Sequence, residues 1–436
     1  MTVRVNTPIP GPKSQKYKAL SKKYESRCLT PQAPIVWDHA EGVTVTDVDG
    51  NSFIDWTSGV LVTNVGHSHP KLAEAIAGQA KRLLNCYDFP TIERVSLAER
   101  MVKLAPENLD KAFFATVGSE AVDSAVRVSK RYTGNFEVIS FYGGFHGRTV
   151  GSMSLAGKMS SKKRFGPVVP GVIHVPFPDP YRNPFGSDNG DVGAQCLEFL
   201  DTAVGAQSTG SIAAMIVEPY QGAAGFIFPP DGYLGSLEKW CRDNDIVFIL
   251  DEVQASFGRT GKFLALEWED LRPNLVCIGK GIGSGMPISC LLAETRIMDS
   301  LEEGDMSSTW GGNPICCAAS HAILDIFEEE KLVENSLKMG EYMKSRLTSM
   351  KEKCRHLGDV RGRGLVIGLD IVKDKKTKQR DPETTRHIIN ECCRRGLIIG
   401  AVSGNVIRVA PPLVITKDEA DESLDIMEKV LTNYFH

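Results

Sequence analysis

The stretch PNLVCIGKGIGSGMPISC, residues 273–290, delivers one lysine, Lys280, behind an apolar run and into a nest of four glycines. A lysine after a strand is ordinarily a solvated loop residue. Other positions of the same kind change that reading. Asp251 follows the apolar run of DIVFILDE, Glu218 that of IAAMIVEP, and residues 142–148 (YGGFHGR) follow FEVISF. Gly118 and Ser119 open a helical stretch in TVGSEAVDSAVR, and a glycine and a hydroxyl at a helix N-terminus offer free N–H groups to an anion.

Each piece alone has a plainer explanation. Gly118-Ser119-Glu120 reads first as a helix cap, and Asp251 as a structural carboxylate. His67 and His69 in GHSHP suggest a metal, but no set of partner ligands accompanies them. GKGIGSG matches neither of the usual glycine-rich nucleotide loops. Together the pieces make one demand. An anion cradle, an aromatic side chain (Phe145), a strand-end carboxylate and a strand-end lysine are what pyridoxal 5′-phosphate (PLP) requires. On this reading the glycines beside Lys280 let the cofactor approach and leave the lysine room to swing.

The elements that must position these groups are legible as a pattern. FEVISF, GVIHVPF, IAAMIVEP, DIVFILDE and NLVCIGK are near-continuous apolar runs of strand length, separated by helical stretches such as YLGSLEKWCRDN. This predicts an α/β fold with a mainly parallel central sheet covered on both faces by helices, with ligands outside the carboxyl ends of the strands. Helical spacing over 70–85 and 119–132 places Ala121, Val122, Ala125, Val126 and Tyr132 on one face of the second helix. GVTVTDVDGNSFIDW predicts a hairpin turning at Asp49-Gly50. Beyond residue 320, two long helical stretches over 314–354, DVRGRGLVIGLDIV, a helix at 383–395, a short strand pair and a closing helix suggest a smaller α+β domain completed by the N-terminal hairpin. The expected organisation is an N-terminal segment, 1–65, joining the small domain, a large domain over 66–320, and a small domain over 321–436.

A chain of 436 residues at 42% hydrophobic content can bury a core of this size. A formal net charge of −4 gives no footprint for nucleic acid or an anionic membrane. Eleven cysteines without zinc spacing read as reduced thiols, and no apolar run suits a signal core or a membrane span. The expectation is a soluble, cytoplasmic protein.

With these residues in view, the chain resembles the class III (ornithine/GABA-type) aminotransferases of PLP fold type I. The resemblance rests on TPIPGPKSQ, FIDWTSGVLVTNVGHSHP, GSEAVDSAVR, FYGGFHGRT, IVEPYQG, FILDEVQASFGRTGKF, IGKGIGSGMP, STWGGNP, DVRGRGLVIGLDIV and NVIRVAPPL, which span nearly the whole chain. It implies that Lys280 is the Schiff-base lysine and proton shuttle, that Asp251 pairs with the pyridinium nitrogen, and that Gln254 meets the 3′ oxygen. It further implies that Val253 and Phe145 pack the two ring faces, with His146 beside the aromatic and Glu218 behind it. Gly118 and Ser119 would hold the phosphate, joined by Thr309 of a second subunit, so a homodimer with shared active sites is implied. Arg408 would clamp an α-carboxylate through its planar fork.

The resemblance also bears on the substrate. Val60 stands where GABA aminotransferases carry a small branched residue and dialkylglycine decarboxylases a glutamine. Arg148 matches the second arginine that GABA-type enzymes use for a distal carboxylate. Ala223, in EPYQGAAG, departs from the acidic residue of GABA-type enzymes and from the aspartate of the family's racemases. The expected activity is transfer of an amino group from an ω-amino acid or primary amine to an α-keto acid. A racemase or epimerase is the first alternative and a dialkylglycine-type decarboxylase the next. An idle PLP-binding homologue is disfavoured by the presence of Lys280 and Asp251, and a metal-dependent hydrolase at His67 and His69 ranks last.

Overall fold

The computed structural model describes residues 2–30, 32–186 and 190–433. The chain forms two compact units: residues 1–70 with 259–261 and 330–436, and residues 71–258 with 262–329. In chain order the strands are β1 (Trp37–Glu41), β2 (Thr44–Asp47), β3 (Ser52–Asp55), β4 (Lys111–Ala115), β5 (Glu137–Phe141), β6 (Val172–Val175), β7 (Ile212–Val217), β8 (Val247–Asp251), β9 (Leu275–Ile278), β10 (Ser289–Ala293), β11 (Leu357–Arg363), β12 (Val366–Ile371), β13 (Leu397–Ile398), β14 (Gly400–Val402) and β15 (Val406–Val409).

The second unit is built on a seven-stranded sheet of order β4-β10-β9-β8-β7-β5-β6. The pairs from β6 through β5, β7 and β8 to β9 are parallel. These strands are the near-continuous apolar runs, and β5, β7, β8 and β9 are buried along their whole length, as a sheet covered on both faces demands. Strand β10 is antiparallel to both β9 and β4, so β4 runs in the same direction as the parallel set. Neither β4 nor β10 was expected from the apolar pattern.

The helix Gly118–Thr133 follows β4 and lays Ala121, Val122, Ala125 and Val128 on a core that includes Ala214, Ile249, Leu275 and Leu291. It stops at Gly134, which takes the left-handed conformation (φ +72°) and returns its N–H to the Lys130 carbonyl. Tyr132, expected on the buried face, is partly exposed. Its hydroxyl accepts a hydrogen bond from Arg296 (2.6 Å), which a phenol in the core would have forfeited.

The first unit carries two four-stranded sheets, β1-β2-β3-β13 and β11-β12-β15-β14. The hairpin β2–β3 turns through Asp49-Gly50, with Gly50 at φ +86°. Strand β13, from the far end of the sequence, adds to β3 in parallel with Leu397 opposite Ile54. Val45, Phe53, Cys393 and Ile398 close a small core there. The helices Leu332–Lys353, Pro382–Arg394 and Lys417–Asn433 bury Met339, Met343, Leu347, Ile388, Leu424 and Met427. Among the described residues, no helix is long and apolar enough to cross a membrane.

Candidate functional site

Because β4 runs with the parallel set, Gly118, Phe145, Glu218, Asp251 and Lys280 all follow the carboxyl ends of strands at one edge of the sheet. Asp251 ends β8 and pairs in register with Cys277 of β9, three residues before Lys280. Val253 then joins three parts of the site. A Cβ added at Gly118 would lie 2.6 Å from Val253 Cγ1, and one at Gly279 would lie 3.1 Å from the same methyl and 3.5 Å from Gly118 Cα. The helix N-terminus, the β8 end and the residue before Lys280 therefore touch through one valine.

This packing gives the glycines a second reason. Gly279 is extended (φ −159°), a conformation open to any residue, and it is glycine because Val253 and Gly118 crowd it. A Cβ at Gly283 would fall 2.0 Å from the Met286 carbonyl oxygen. The backbone at this turn packs closely against protein at both positions. Lys280 itself sits at φ +48°, a conformation costing a non-glycine residue about 1–3 kcal/mol. Such cost persists where the surroundings over-determine the residue, and the crowded glycines on either side provide that.

The Gly118–Thr133 helix has Val117 as N-cap, in extended conformation and without a side-chain cap. Ser119 is therefore not the cap that the local pattern suggested. Glu120 turns back to accept from the Thr116 N–H (2.7 Å) and hydroxyl (2.6 Å) instead. The Glu120 and Ala121 N–H groups donate to the Val117 carbonyl (3.0 and 3.3 Å), and with no side-chain cap the Gly118-Ser119 end of a sixteen-residue helix offers its positive pole to an anion. The loop after β5 closes on this end, since a Cβ at Gly147 would meet Ser119 Cβ at 2.5 Å.

Beneath the loop, Asp251 and His146 form a buried pair, Nδ1 to Oδ2 at 2.7 Å, while Asp251 Oδ1 accepts the Val253 N–H (3.1 Å). Burial alone would lower the His146 pKa. The hydrogen bond and charge of Asp251, with the charge of Glu218, outweigh it and raise the pKa above its ordinary value. Glu218 is pushed up, first by burial and then by the charge of Asp251, against the attraction of His146 and of two N–H donors. Those donors are Phe145 N (3.0 Å, to Oε1) and Gly222 N (2.9 Å, to Oε2), so one carboxylate ties the aromatic's backbone to the loop bearing Ala223. Arg148 is exposed, with its guanidinium 5.7 Å from the Phe145 ring centroid. Thr309 is exposed beside Trp310.

The residues fit PLP. Gln254 packs its amide against Gly222, and its Oε1 is buried without a hydrogen-bond partner among the described residues. A buried, unpaired amide is costly unless a ligand completes it. Lone pairs remain on Asp251, and the cradle at Gly118 is uncapped.

Arg408 and Val60 belong to the first unit. Arg408 lies on β15 opposite Gly400 of β14, where a Cβ would meet its Nη2 at 2.6 Å. It is buried, its Nε has no hydrogen-bond partner among the described residues, and burial lowers its pKa against the opposing charge of Asp55. Val60 lies on a turn and is half-exposed. His67 Nε2 meets Asp55 Oδ2 (2.9 Å) and His69 Nε2 meets Glu330 Oε1 (2.9 Å), so the two histidines have different partners. Among the described residues, no group of three or more His, Cys, Asp or Glu is placed to hold a metal ion.

Sequence reasoning passed over Glu252 and Arg259. Glu252 is fully buried and accepts the Ala265 and Leu266 N–H groups (2.7 Å each), and burial pushes its carboxyl up to about 8. Its signal was an acid beside Asp251 in the apolar DEVQ context. Arg259, in FGRTGKF, is also fully buried. A cation inside a glycine-flanked turn was the only sign of it.

The sequence profile of the class III aminotransferases matches residues 28–431. The chain is 38% identical to the acetylornithine aminotransferase of Methanothermobacter thermautotrophicus, over 96% of this chain and 99% of that protein. It is 37% identical to the isoleucine 2-epimerase of Lentilactobacillus buchneri, over 91% and 90%. A solved amine transaminase from an uncultivated Pseudomonas species, in its PLP-bound form, matches with a TM-score of 0.89 and 31% identity, over 94% of this chain and 98% of that one.

Proposed function

The chain belongs to the class III aminotransferases, with PLP as cofactor, and from that premise we propose that it moves an amino group from an ω-amino acid or primary amine to an α-keto acid, with Lys280 as the reacting lysine. Bound PLP supplies the electron sink that makes a carbon-bound proton removable. Asp251 keeps the ring nitrogen protonated, and His146 holds that carboxylate in place. Gly118 and Ser119 bind the phosphate, Val253 and Phe145 enclose the ring, and Gln254 meets the 3′ oxygen. Lys280 Nζ would be the group that holds and moves a proton at this site. Arg408 takes an α-carboxylate, and Arg148 a distal one.

The observation that carries the reading is the meeting of Gly118, Val253 and Gly279 beside Lys280. Asp251 lies on the same strand end, so a cradle, a carboxylate and a lysine converge. A homodimer with shared sites is part of the proposal, Thr309 reaching the partner's phosphate. Phe89, Ile92 and Trp310, at 75%, 80% and 64% exposure, favour it, since apolar groups so exposed suit burial against a second copy. The free cysteines suit a cytoplasmic location.

A racemase is the second reading, favoured by the likeness to an isoleucine epimerase. It requires a second acid or base, and the Ala223 methyl provides none. The test is the visible spectrum of the PLP-loaded protein with donors added singly and no keto acid. Conversion of the cofactor band to that of the aminated form supports the transaminase. A persistent band, with an α-amino acid losing its α-deuterium to solvent, would establish the racemase instead.

A further inference from the structure

The turn that carries Val60 is strained, and one buried cation fastens it. Ser58 (φ +48°), Gly59 (φ +72°) and Leu61 (φ +57°) all take positive φ around Val60. Non-glycine residues stay in that region only where the surroundings hold them, and such strain gathers where a side chain must be presented. Arg259 supplies the hold. Its guanidinium is fully buried; Nη2 donates to Asn64 Oδ1 (2.6 Å) and Ser58 Oγ (3.4 Å). Nη1 donates to the carbonyls of Pro411 (2.7 Å) and Leu365 (2.9 Å).

These acceptors come from the segment bearing Val60, the segment just past Arg408, and the turn between β11 and β12. The first two also meet directly. The Ala410 N–H reaches the Trp56 carbonyl (2.9 Å), Ser58 Oγ reaches the Ala410 carbonyl (2.7 Å), and the Leu413 N–H reaches the Asn64 carbonyl (2.8 Å). A planar fork with fixed donor directions suits acceptors on three segments, and a lysine's single ammonium does not.

We propose that Arg259 is a positioning residue for substrate recognition, its buried guanidinium setting the spacing between the turn of Val60 and the strand end of Arg408. It sets the fit of the α-carboxylate end of the substrate and leaves proton transfer at Lys280 to other residues. The proposal rests on the reading that Val60 and Arg408 face the substrate.

The test uses PLP-loaded Arg259→Lys, Asn64→Ala and Arg408→Gln, with an α-keto acid as acceptor and a donor amine lacking any carboxylate. Arg259→Lys is expected to keep the cofactor's visible band, raise the KM of the keto acid about tenfold or more, and change kcat by less than about threefold. Asn64→Ala, which removes one acceptor and serves if the lysine variant does not fold, is expected to raise the same KM about threefold. An unchanged KM, or a loss confined to kcat, in the variants that fold overturns the proposal. If Arg408→Gln leaves the keto acid's KM unchanged, the underlying reading has failed. If it raises that KM while Arg259→Lys and Asn64→Ala do not, the role given to Arg259 alone has failed.

Discussion

His146 Nδ1 lies 2.7 Å from Asp251 Oδ2, and both side chains are buried almost completely. With the imidazole protonated this is a buried ion pair, in which removing one partner strands the other's charge away from water. The consequence is a pH dependence with a definite sign. The folded-state pKa of His146 is raised from 6.5. Below the ordinary value both folded and unfolded chains carry the proton, and the stabilisation is whole. It is lost as pH rises from about 6.5 through the raised value. The thermal midpoint of the cofactor-free protein should fall across that window. His146→Gln should be less stable below it and should flatten the slope. A parent and variant with parallel pH profiles would show that the pair does not couple to folding.

Lys280→Ala should lose turnover by at least about a thousandfold, because no other amine follows the β9 end to move the proton. Cofactor binding should survive, since Gly118, Asp251 and Gln254 are untouched. Equilibrium dialysis with PLP, beside a single-turnover assay, separates the two effects. A variant that neither binds nor turns over would mean that the strained Lys280 backbone (φ +48°), and not its amine, was the quantity changed.

Gly118→Ala should weaken PLP binding about tenfold or more, because the new methyl meets Val253 Cγ1 at 2.6 Å and must push the cradle or the valine aside. Val253→Ala in the same chain should return part of the loss, since both substitutions act on one contact. Titration of the visible band with PLP measures each constant. Strictly additive losses would place the two residues in independent roles.

The sequence revealed some of these residues and hid others for physical reasons. Asp251 and Lys280 were legible because each follows an apolar run buried on both faces of the sheet, where chain position alone fixes the edge. Gly118 was legible as a helix start, but its reason for being glycine was not, because Val253 approaches it from 135 positions away (253 − 118). Strand β4, KAFFA, opens on an exposed lysine and pairs antiparallel, so it lacks the continuous apolar signature of its neighbours. Strand β13 has two residues and exists only as a partner of β3. Arg259 was invisible because its acceptors lie at positions 58, 64, 365 and 411, and an arginine in a glycine-flanked turn ordinarily reads as solvated.

Arg148 offers the sharpest test of substrate class. Its guanidinium is exposed and lies 5.7 Å from the centroid of Phe145, the aromatic whose backbone N–H is held by Glu218. An arginine placed beside a ring face can take a planar carboxylate in a bidentate pair, which a methionine of similar length cannot. Arg148→Met should therefore lower kcat/KM for donors with a distal carboxylate about tens- to hundreds-fold, the cost of truncating one partner of a hydrogen-bonded charge pair that the bound substrate shields from water. Simple amines should change by less than about threefold, since they present no anion to the lost cation. Paired kcat/KM measurements on an ω-amino acid and on the amine of equal chain length read the difference directly. If both donors lose equally, Arg148 is acting through Phe145 and the cofactor's ring, and the distal-carboxylate role passes to another residue.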